Sequence, residues 1–361
     1  MDPRPAAPGD WPQYRANARR QGASPVAVSA TASLAWTLAS AKPFAYTKDY
    51  NQYTLTFDDR PVPPVTADGK VFTAASDGVV SALSPVDGKR LWTFATGGPV
   101  MTSPAWNRGY LFVPSGDGWL YALDANTGEL AWKRRVAPLE RRICVFDKLV
   151  SNWPVAAVLV ADGEVFATAG MMHNDGVVSM ALDPSTGDIR WSKFTPPSRE
   201  SLQGSHQPPD RPVFGVGGGL AKAGERIWST GHHSAPLVLD EQSGTDHRYD
   251  RISQLVGSKS YYAFKKYYYS QGKDLIVLDD DALLIGGGPL WMQQQMREGK
   301  RWRTSFNVFL LDDSGDWVDS PLPMVALRFC RVAPACDDGM FVFAGPPPWK
   351  PARGRDELPD S

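Results

Sequence analysis

The chain has 361 residues, of which 42% are hydrophobic, and it contains 33 glycines, 31 prolines and 13 tryptophans. Its formal net charge of −1 at pH 7 gives no electrostatic basis for binding nucleic acid or an anionic membrane. The three cysteines form no disulfide framework, and no apolar segment approaches the length of a membrane-spanning helix.

The first residues of the chain, 1–30, are rich in proline, alanine and arginine and have no hydrophobic period. They are predicted to form an extended arm, anchored at Trp11-Pro12-Gln13-Tyr14. Leu34-Ala35-Trp36-Thr37-Leu38 is typical of the last strand of a repeat, but no repeat precedes it. Because a propeller can protect its edge when one terminus completes the blade begun by the other, Trp36 is expected to belong to the last blade.

A repeat of about forty residues then decides the fold class. Residues 61–92, 99–132 and 153–191 each contain short alternating strands, an Asp-Gly or Thr-Gly turn, and a tryptophan four residues after the last glycine. This pattern is typical of a propeller blade. Weaker copies lie at about 212–248 and 274–318, and a further copy begins at residue 332.

These repeats predict an all-β fold, because blades cannot bury their faces alone and stack into one closed body. The expected architecture is a β-propeller of four-stranded antiparallel blades, roughly six to eight in number with six favoured, closed by the N-terminal strand. The predicted organisation is an extended arm over residues 1–30, a single propeller domain over residues 31–345, and a proline-rich tail or linker over residues 346–361.

The repeats also resemble a known family. The runs Ala-Leu-Asp-x-x-Thr-Gly-x-x-x-Trp at 122–132 and 181–191 resemble the PQQ-like, quinoprotein-type repeat. Together with the motifs at 10–15 and 151–155, they make the chain similar to secreted bacterial PQQ-binding-like and barrel-assembly-lipoprotein-like propeller proteins. The resemblance implies a periplasmic or extracellular protein whose signal peptide has been removed.

Two features of the resembling families are missing from the sequence. Quinoprotein dehydrogenases of this fold use a pair of adjacent cysteines near the quinone, together with carboxylate and amide ligands to calcium. This chain has no adjacent cysteines, so PQQ with calcium is disfavoured and no cofactor is predicted. The barrel-assembly lipoprotein carries a lipid on an N-terminal cysteine, and the first hundred residues here contain none.

Candidate binding residues lie in the connection between the second and third blades. Arg141 and Arg142 are suited to hold a carboxylate in a two-point fork, and Trp153 is suited to form a floor for the apolar face of a sugar. The alternative is that the arginines are solvated charges and that Trp153 packs in the core.

Further candidates follow in the next inserts. His173, His206 and the pair His232 and His233 recur in successive repeats, which indicates one shared face. Tyr267 belongs to a tyrosine-rich segment suited to stack against a sugar or a protein partner. The alternatives are ordinary loop histidines and a segment packed between blades. No metal site is predicted.

The sequence favours a non-catalytic binding and interaction propeller that recognises a ligand or a protein partner on one face. The expected partners are a protein or an oligosaccharide, and the expected state is a monomer. Catalysis is left undecided, and no catalytic residue is identified. One alternative is a carbohydrate-active enzyme for acidic sugars, in which Arg141 or Arg142 neutralises the uronate; the other, less favoured, is a PQQ-dependent oxidoreductase.

Overall fold

The computed structural model describes residues 5–27, 31–39, 62–145, 148–170, 175–196, 219–229 and 237–246, and the backbone of five further strands between 274 and 342. All of its regular elements are β-strands, and no helix in this part of the chain is long and apolar enough to cross a membrane. Seven antiparallel sheets are present among the described residues: six follow one another in chain order as blades, the number that the sequence favours, and the seventh is a two-stranded hairpin.

Three blades are described with four strands each. Blade 1 consists of β1 (Val65–Ala67), β2 (Lys70–Ala74), β3 (Val79–Leu83) and β4 (Arg90–Ala95). Blade 2 consists of β5 (Ala105–Asn107), β6 (Tyr110–Pro114), β7 (Trp119–Asp124) and β8 (Leu130–Arg135). A separate hairpin, β9 (Arg142–Val145) and β10 (Lys148–Ser151), follows before blade 3, which consists of β11 (Val155–Ala161), β12 (Glu164–Ala169), β13 (Val177–Leu182) and β14 (Ile189–Thr195).

The later blades are described in part. Blade 4 contains β15 (Leu220–Ala223), β16 (Arg226–Ser229) and β17 (Leu237–Asp240). Blade 5 contains β18 (Asp274–Asp279), β19 (Ala282–Gly286) and β20 (Asn307–Leu310), and blade 6 contains β21 (Ala335–Asp337) and β22 (Met340–Val342). The first strands of neighbouring blades lie side by side, from β1 through β5, β11 and β15 to β18. The first strands of blades 1 to 5 are therefore the innermost, as in a propeller.

The hydrophobic core is divided into clusters between consecutive blades. Phe72 belongs to the cluster between blades 1 and 2, Phe112 to that between blades 2 and 3, and Phe166 to that between blades 3 and 4. Each phenylalanine contacts the tryptophan of its own outer strand, at ring-centre distances of 6.0, 5.8 and 6.2 Å respectively. Burial of these large rings between sheets favours stacking of the blades.

The tryptophan of each outer strand also docks on the next blade. The indole N–H of Trp92 donates to the carbonyl of Ala125 at 3.0 Å, and its ring covers Gly128 in the turn between β7 and β8. Gly128 has a φ of 76°, and a Cβ atom there would lie 2.6 Å from the Trp92 ring. The same arrangement joins Trp132 to Pro184 and Gly187, and Trp191 to Glu241 and Gly244.

Trp36 makes this contact on blade 1. Its indole N–H donates to the carbonyl of Pro85 at 2.9 Å, and its ring covers Gly88. Residues 31–39 form no strand, which differs from the expectation of a closing strand at 34–38. Trp36 thus occupies the place that a preceding blade's tryptophan has elsewhere, and closure of the ring by this segment stays a prediction that its docking supports.

The N-terminal arm contacts the innermost strands of four blades. Trp11 exchanges two backbone hydrogen bonds with Thr66 of β1, at 2.8 and 2.9 Å, and the carbonyl of Pro12 accepts from the N–H of Trp106 in β5 at 2.6 Å. The Gln13 amide exchanges two bonds of 3.1 Å with Val160 of β11. Farther along the arm, the carbonyl of Ala18 accepts from the N–H of Lys222 in β15.

A buried arginine secures the end of this arm. Arg20 is 1% exposed, and its guanidinium donates to the carbonyls of Leu220 at 2.6 Å, Tyr14 at 2.7 Å and Val158 at 2.9 Å, and to Gln13 Oε1 at 3.2 Å. Burial lowers the pKa of Arg20 to about 9, so the group stays charged at neutral pH. It joins the arm to blades 3 and 4 by charge-assisted hydrogen bonds.

Candidate functional site

The strand order determines which end of the propeller carries the candidate residues. In each antiparallel blade, the turn between the second and third strands and the connection to the next blade leave from the same end. We call this end the connection face. Arg141, Arg142 and Trp153 lie in the connection from β8 to β11 and therefore on this face.

The remaining candidates lie outside the described residues. His173 falls in the chain between β12 and β13, His206 between β14 and β15, and Tyr267 between β17 and β18. His232 and His233 fall between β16 and β17. The segments with His173, with His206 and with the pair His232 and His233 begin at strand ends on the connection face, whereas the segment with Tyr267 begins at the opposite end, where β17 ends. The role of these residues in binding stays a prediction.

The hairpin of β9 and β10 is an insertion on the connection face that the sequence did not predict. It pairs antiparallel from Arg142 with Ser151 to Val145 with Lys148. The N–H of Ser151 donates to the carbonyl of Gly116 at 2.7 Å, and Val150 is completely buried. These contacts fix the hairpin to the turn between β6 and β7. The hairpin needs them, because two strands alone are marginally stable in water.

The two candidate arginines of the hairpin have different environments. The side chain of Arg142 is exposed, and its Nη1 donates to the carbonyl of Gly97 in the connection between blades 1 and 2 at 3.2 Å. Arg141 is also exposed, and its backbone carbonyl accepts from the N–H of Asn152 at 3.2 Å. Arg142 therefore helps to hold the hairpin in place, while Arg141 presents its guanidinium to solvent.

Trp153 packs beneath the connection face. It is 6% exposed, and its indole N–H donates to the carbonyl of Asp175 at 2.8 Å. The ring belongs to the core cluster between blades 2 and 3, together with Val155 and Ala169. These contacts support the alternative of a packing tryptophan, because little of the ring is left to form a floor for a sugar.

A buried polar group supports the segment that Arg142 contacts. Tyr121 Oη donates to Asp117 Oδ2 at 2.6 Å and accepts from the N–H of Gly97 at 3.2 Å. Asp117 Oδ1 accepts from the N–H of Trp119 at 3.0 Å. Burial raises the pKa of the Tyr121 phenol, and the hydrogen bond to Asp117 raises it further. The neutral phenol therefore fixes Gly97, whose carbonyl accepts from Arg142.

Sequence reasoning missed this polar group for a specific reason. Asp117 lies in one of the Asp-Gly turns, which the pattern explains fully as a hairpin turn. Tyr121 stands where blade 1 has Ser81 and blade 3 has Met180. That departure from the repeat was the one signal in the sequence that could have identified it.

Side chains that ligate metal ions are not clustered among the described residues. Calcium requires six to eight oxygen ligands, several of them carboxylates. No group of three or more His, Cys, Asp or Glu side chains within the described ranges could hold a metal ion. Arg141 and Arg142 are exposed on the connection face, and the buried pair of Asp117 and Tyr121 fixes Gly97, whose carbonyl accepts from Arg142.

The fold defines the class of the protein, which is an all-β propeller built from PQQ-like repeats. The family model described as outer membrane protein assembly factor BamB matches residues 23–230, more than half of the chain. The chain therefore belongs to this family.

Individual relatives are similar at low identity. BamB of Moranella endobia is 28% identical over 136 residues, which are 36% of this chain and 33% of the relative. The dehydrogenase subunit of a quinone alcohol dehydrogenase from Gluconobacter oxydans is 27% identical over 212 residues, 54% of this chain and 26% of the relative. The chain thus spans a third or less of the length of these two curated relatives.

Solved structures support the fold. A europium-containing methanol dehydrogenase superimposes with a TM-score of 0.55 at 14% identity, covering 90% of this chain and 60% of that one. At this identity the likeness establishes the propeller architecture alone.

Proposed function

We propose that the chain is a non-catalytic binding and interaction protein that recognises its partner on the connection face. The observation that carries the proposal is the hairpin of β9 and β10, which the fully described connection between blades 1 and 2 does not have. It presents Arg141 and Arg142 to solvent, whereas the repeat residues themselves make contacts between blades. Exposed arginines on a fixed element are suited to bind carboxylates.

The family supports a protein as the partner. The relatives named BamB are described as outer membrane protein assembly factors. We therefore propose a periplasmic or extracellular location, and a protein partner ahead of an oligosaccharide. The segments that contain His173, His206, His232 and His233 extend the proposed surface, because the strands before them end on the same face. Tyr267 is proposed to join this surface from the stretch that leads into β18.

A ligand screen by thermal unfolding tests this proposal. The panel contains acidic peptides, neutral and acidic oligosaccharides, and PQQ with calcium. A ligand that binds only the folded state raises the midpoint of unfolding. We expect an acidic ligand to do so, and we expect the shift to disappear in the double variant Arg141→Gln with Arg142→Gln.

The control is Arg90→Gln, which removes an exposed arginine from β4. It should keep the full shift. An unchanged shift in the double variant would place binding elsewhere and contradict the proposal. Turnover of any bound glycan would contradict its non-catalytic part.

The second candidate is a quinone-dependent oxidoreductase, favoured by the several quinone alcohol dehydrogenases among the relatives. Its test is reconstitution of the full chain with PQQ and calcium. A quinone absorbance band that stays with the protein, together with alcohol-dependent reduction of a dye, would replace the proposed function with this one.

A further inference from the structure

The segment around the hairpin has a charge that differs from that of the whole chain. Residues 133–148 contain six lysines and arginines and two acidic residues, whereas the chain as a whole has a formal net charge of −1. Such a local excess attracts an oppositely charged partner and guides its approach. The local charge, not the overall charge, is therefore the relevant quantity for recognition here.

Four of the described cations of this segment, Lys133, Arg135, Arg141 and Arg142, are exposed, whereas Arg134 is half-buried and donates to the carbonyl of Gly187. Lys133 is exposed on β8 and lies 4.9 Å from the centre of the Trp119 ring. Arg135 is exposed at the end of the same strand, and its Nη1 is 3.9 Å from Glu140. Exposed ion pairs of this kind contribute little, so they leave the positive charge of the segment available to a ligand.

Apolar side chains lie among these cations. Leu139 is 59% exposed in the connection that leads into the hairpin, and Leu149 is 54% exposed on β10. The N–H of Arg141 donates to the carbonyl of Leu139 at 3.1 Å, so the backbone turns tightly between these two exposed residues. The surface therefore combines positive charge with exposed apolar area, as protein interfaces do.

We propose that this surface, which we call the hairpin surface, docks an acidic segment of a protein partner that also contributes an apolar side chain. It comprises Lys133, Arg135, Leu139, Arg141, Arg142 and Leu149. The inference rests on the proposed function, because it specifies which kind of partner binds to the connection face. Carboxylates of the partner contact the arginines, and its apolar side chain covers the leucines.

The chemistry of the surface favours a peptide over the other anionic ligands. An acidic sugar has carboxylates but no aliphatic side chain to cover Leu139 and Leu149, and the ring of Trp153 that would support a sugar is buried. An anionic membrane would be attracted by the same cations, so vesicle binding is one of the outcomes that the experiment distinguishes.

Fluorescence anisotropy with the full chain tests the inference. The probes are short labelled peptides of alternating Glu and Leu, of alternating Glu and Ser, and of alternating Lys and Leu. We expect the Glu-Leu peptide to bind most tightly and to weaken as salt is added. The variant Arg141→Glu should weaken it at least about tenfold, since it reverses an attractive charge at the centre of the surface.

Two further variants separate charge from apolar contact. Leu149→Ser should weaken the Glu-Leu peptide several-fold and leave the Glu-Ser peptide unchanged. Arg90→Glu, which reverses an exposed charge on β4, should leave both affinities unchanged. The unfolding midpoint of each variant is measured alongside, because an unchanged midpoint shows that the hairpin is still folded.

Several outcomes would overturn the inference. These are equal binding of the Lys-Leu peptide, insensitivity to Arg141→Glu, and binding only to anionic vesicles or only to oligogalacturonate. If oligogalacturonate binds and the Arg141 and Arg142 double variant no longer binds it, the acidic peptide is the wrong ligand class, but the proposed binding function stands. Failure of the proposed function instead appears as ligand binding that the double variant does not affect.

Discussion

At the scale of single residues, the contacts between blades 1 to 4 each include one tryptophan that packs on one glycine. The ring of Trp92 lies over Gly128, and its N–H is bonded to the carbonyl of Ala125. Two constraints act on the glycine: its φ of 76° is in the left-handed region, and the indole leaves no space for a Cβ atom. The Thr-Gly of the repeat is thus both a turn and a docking surface.

These two constraints can be separated by substitution. Gly163, in the turn between β11 and β12, has a φ of 82° but nothing within 4 Å of a Cβ position. We expect Gly163→Ala to cost about 1–2 kcal/mol for the left-handed conformation alone. Gly128→Ala should cost about 1–3 kcal/mol more, because the added methyl group displaces the Trp92 ring.

Denaturant unfolding of the two variants measures the difference in the free energy of unfolding. Equal losses would mean that the Trp92 ring yields freely and that the glycine is needed for the turn only. A larger loss in Gly128→Ala would show that docking of the tryptophan stabilises the interface between blades 1 and 2.

At the scale of elements, the repeats were predictable and their insertion was not. The strands of blades 1 to 3 have alternating apolar residues and Asp-Gly turns, and these patterns specify a hairpin from local sequence. Strand β9, with the sequence Arg-Ile-Cys-Val, is too short and irregular to be identified in this way. The hairpin of β9 and β10 is stabilised by burial of Val150 and by the hydrogen bond from Ser151 to Gly116, and both of these are tertiary contacts.

The segment around Trp36 illustrates the same limit. Its tryptophan was identified from the repeat, and the indole docks on Pro85 and Gly88 as expected for the motif. Residues 31–39, however, do not form a strand. The repeat pattern identifies the tryptophan because the position of this residue is part of the motif. It could not give the backbone conformation, which depends on the neighbouring blade.

Substitution of Trp36 tests its part in joining the segment to blade 1. Trp36→Ala removes a ring packed on Gly88 and the hydrogen bond to Pro85, and should lower the free energy of unfolding by about 1–3 kcal/mol. The matched control is Leu34→Ala in the same segment, where the side chain is 81% exposed. Equal unfolding midpoints for the two variants would show that Trp36 does not stabilise the propeller.

At the scale of the whole molecule, the arm joins blades that are distant in sequence. Its contacts run from β1 to β15, so it connects the first four blades along their innermost strands. The sequence predicted an extended arm with an anchor at 11–14, and the structure shows that anchor on β1, β5 and β11. The role of Arg20 could not be predicted, because an arginine in a polar segment is ordinarily exposed.

Arg20 gives a test of whether the arm acts as one unit. Arg20→Met removes four hydrogen bonds and leaves the buried carbonyls of Val158 and Leu220 without their donor, so we expect a loss of about 3 kcal/mol in the free energy of unfolding. Hydrogen exchange then distinguishes a local effect from a global one. The Lys222 amide, bonded to Ala18, should exchange faster in either case. If the arm opens cooperatively, the amides of Trp106 and Thr66 lose protection as well, and unchanged protection there would show that the arm is held independently on each blade.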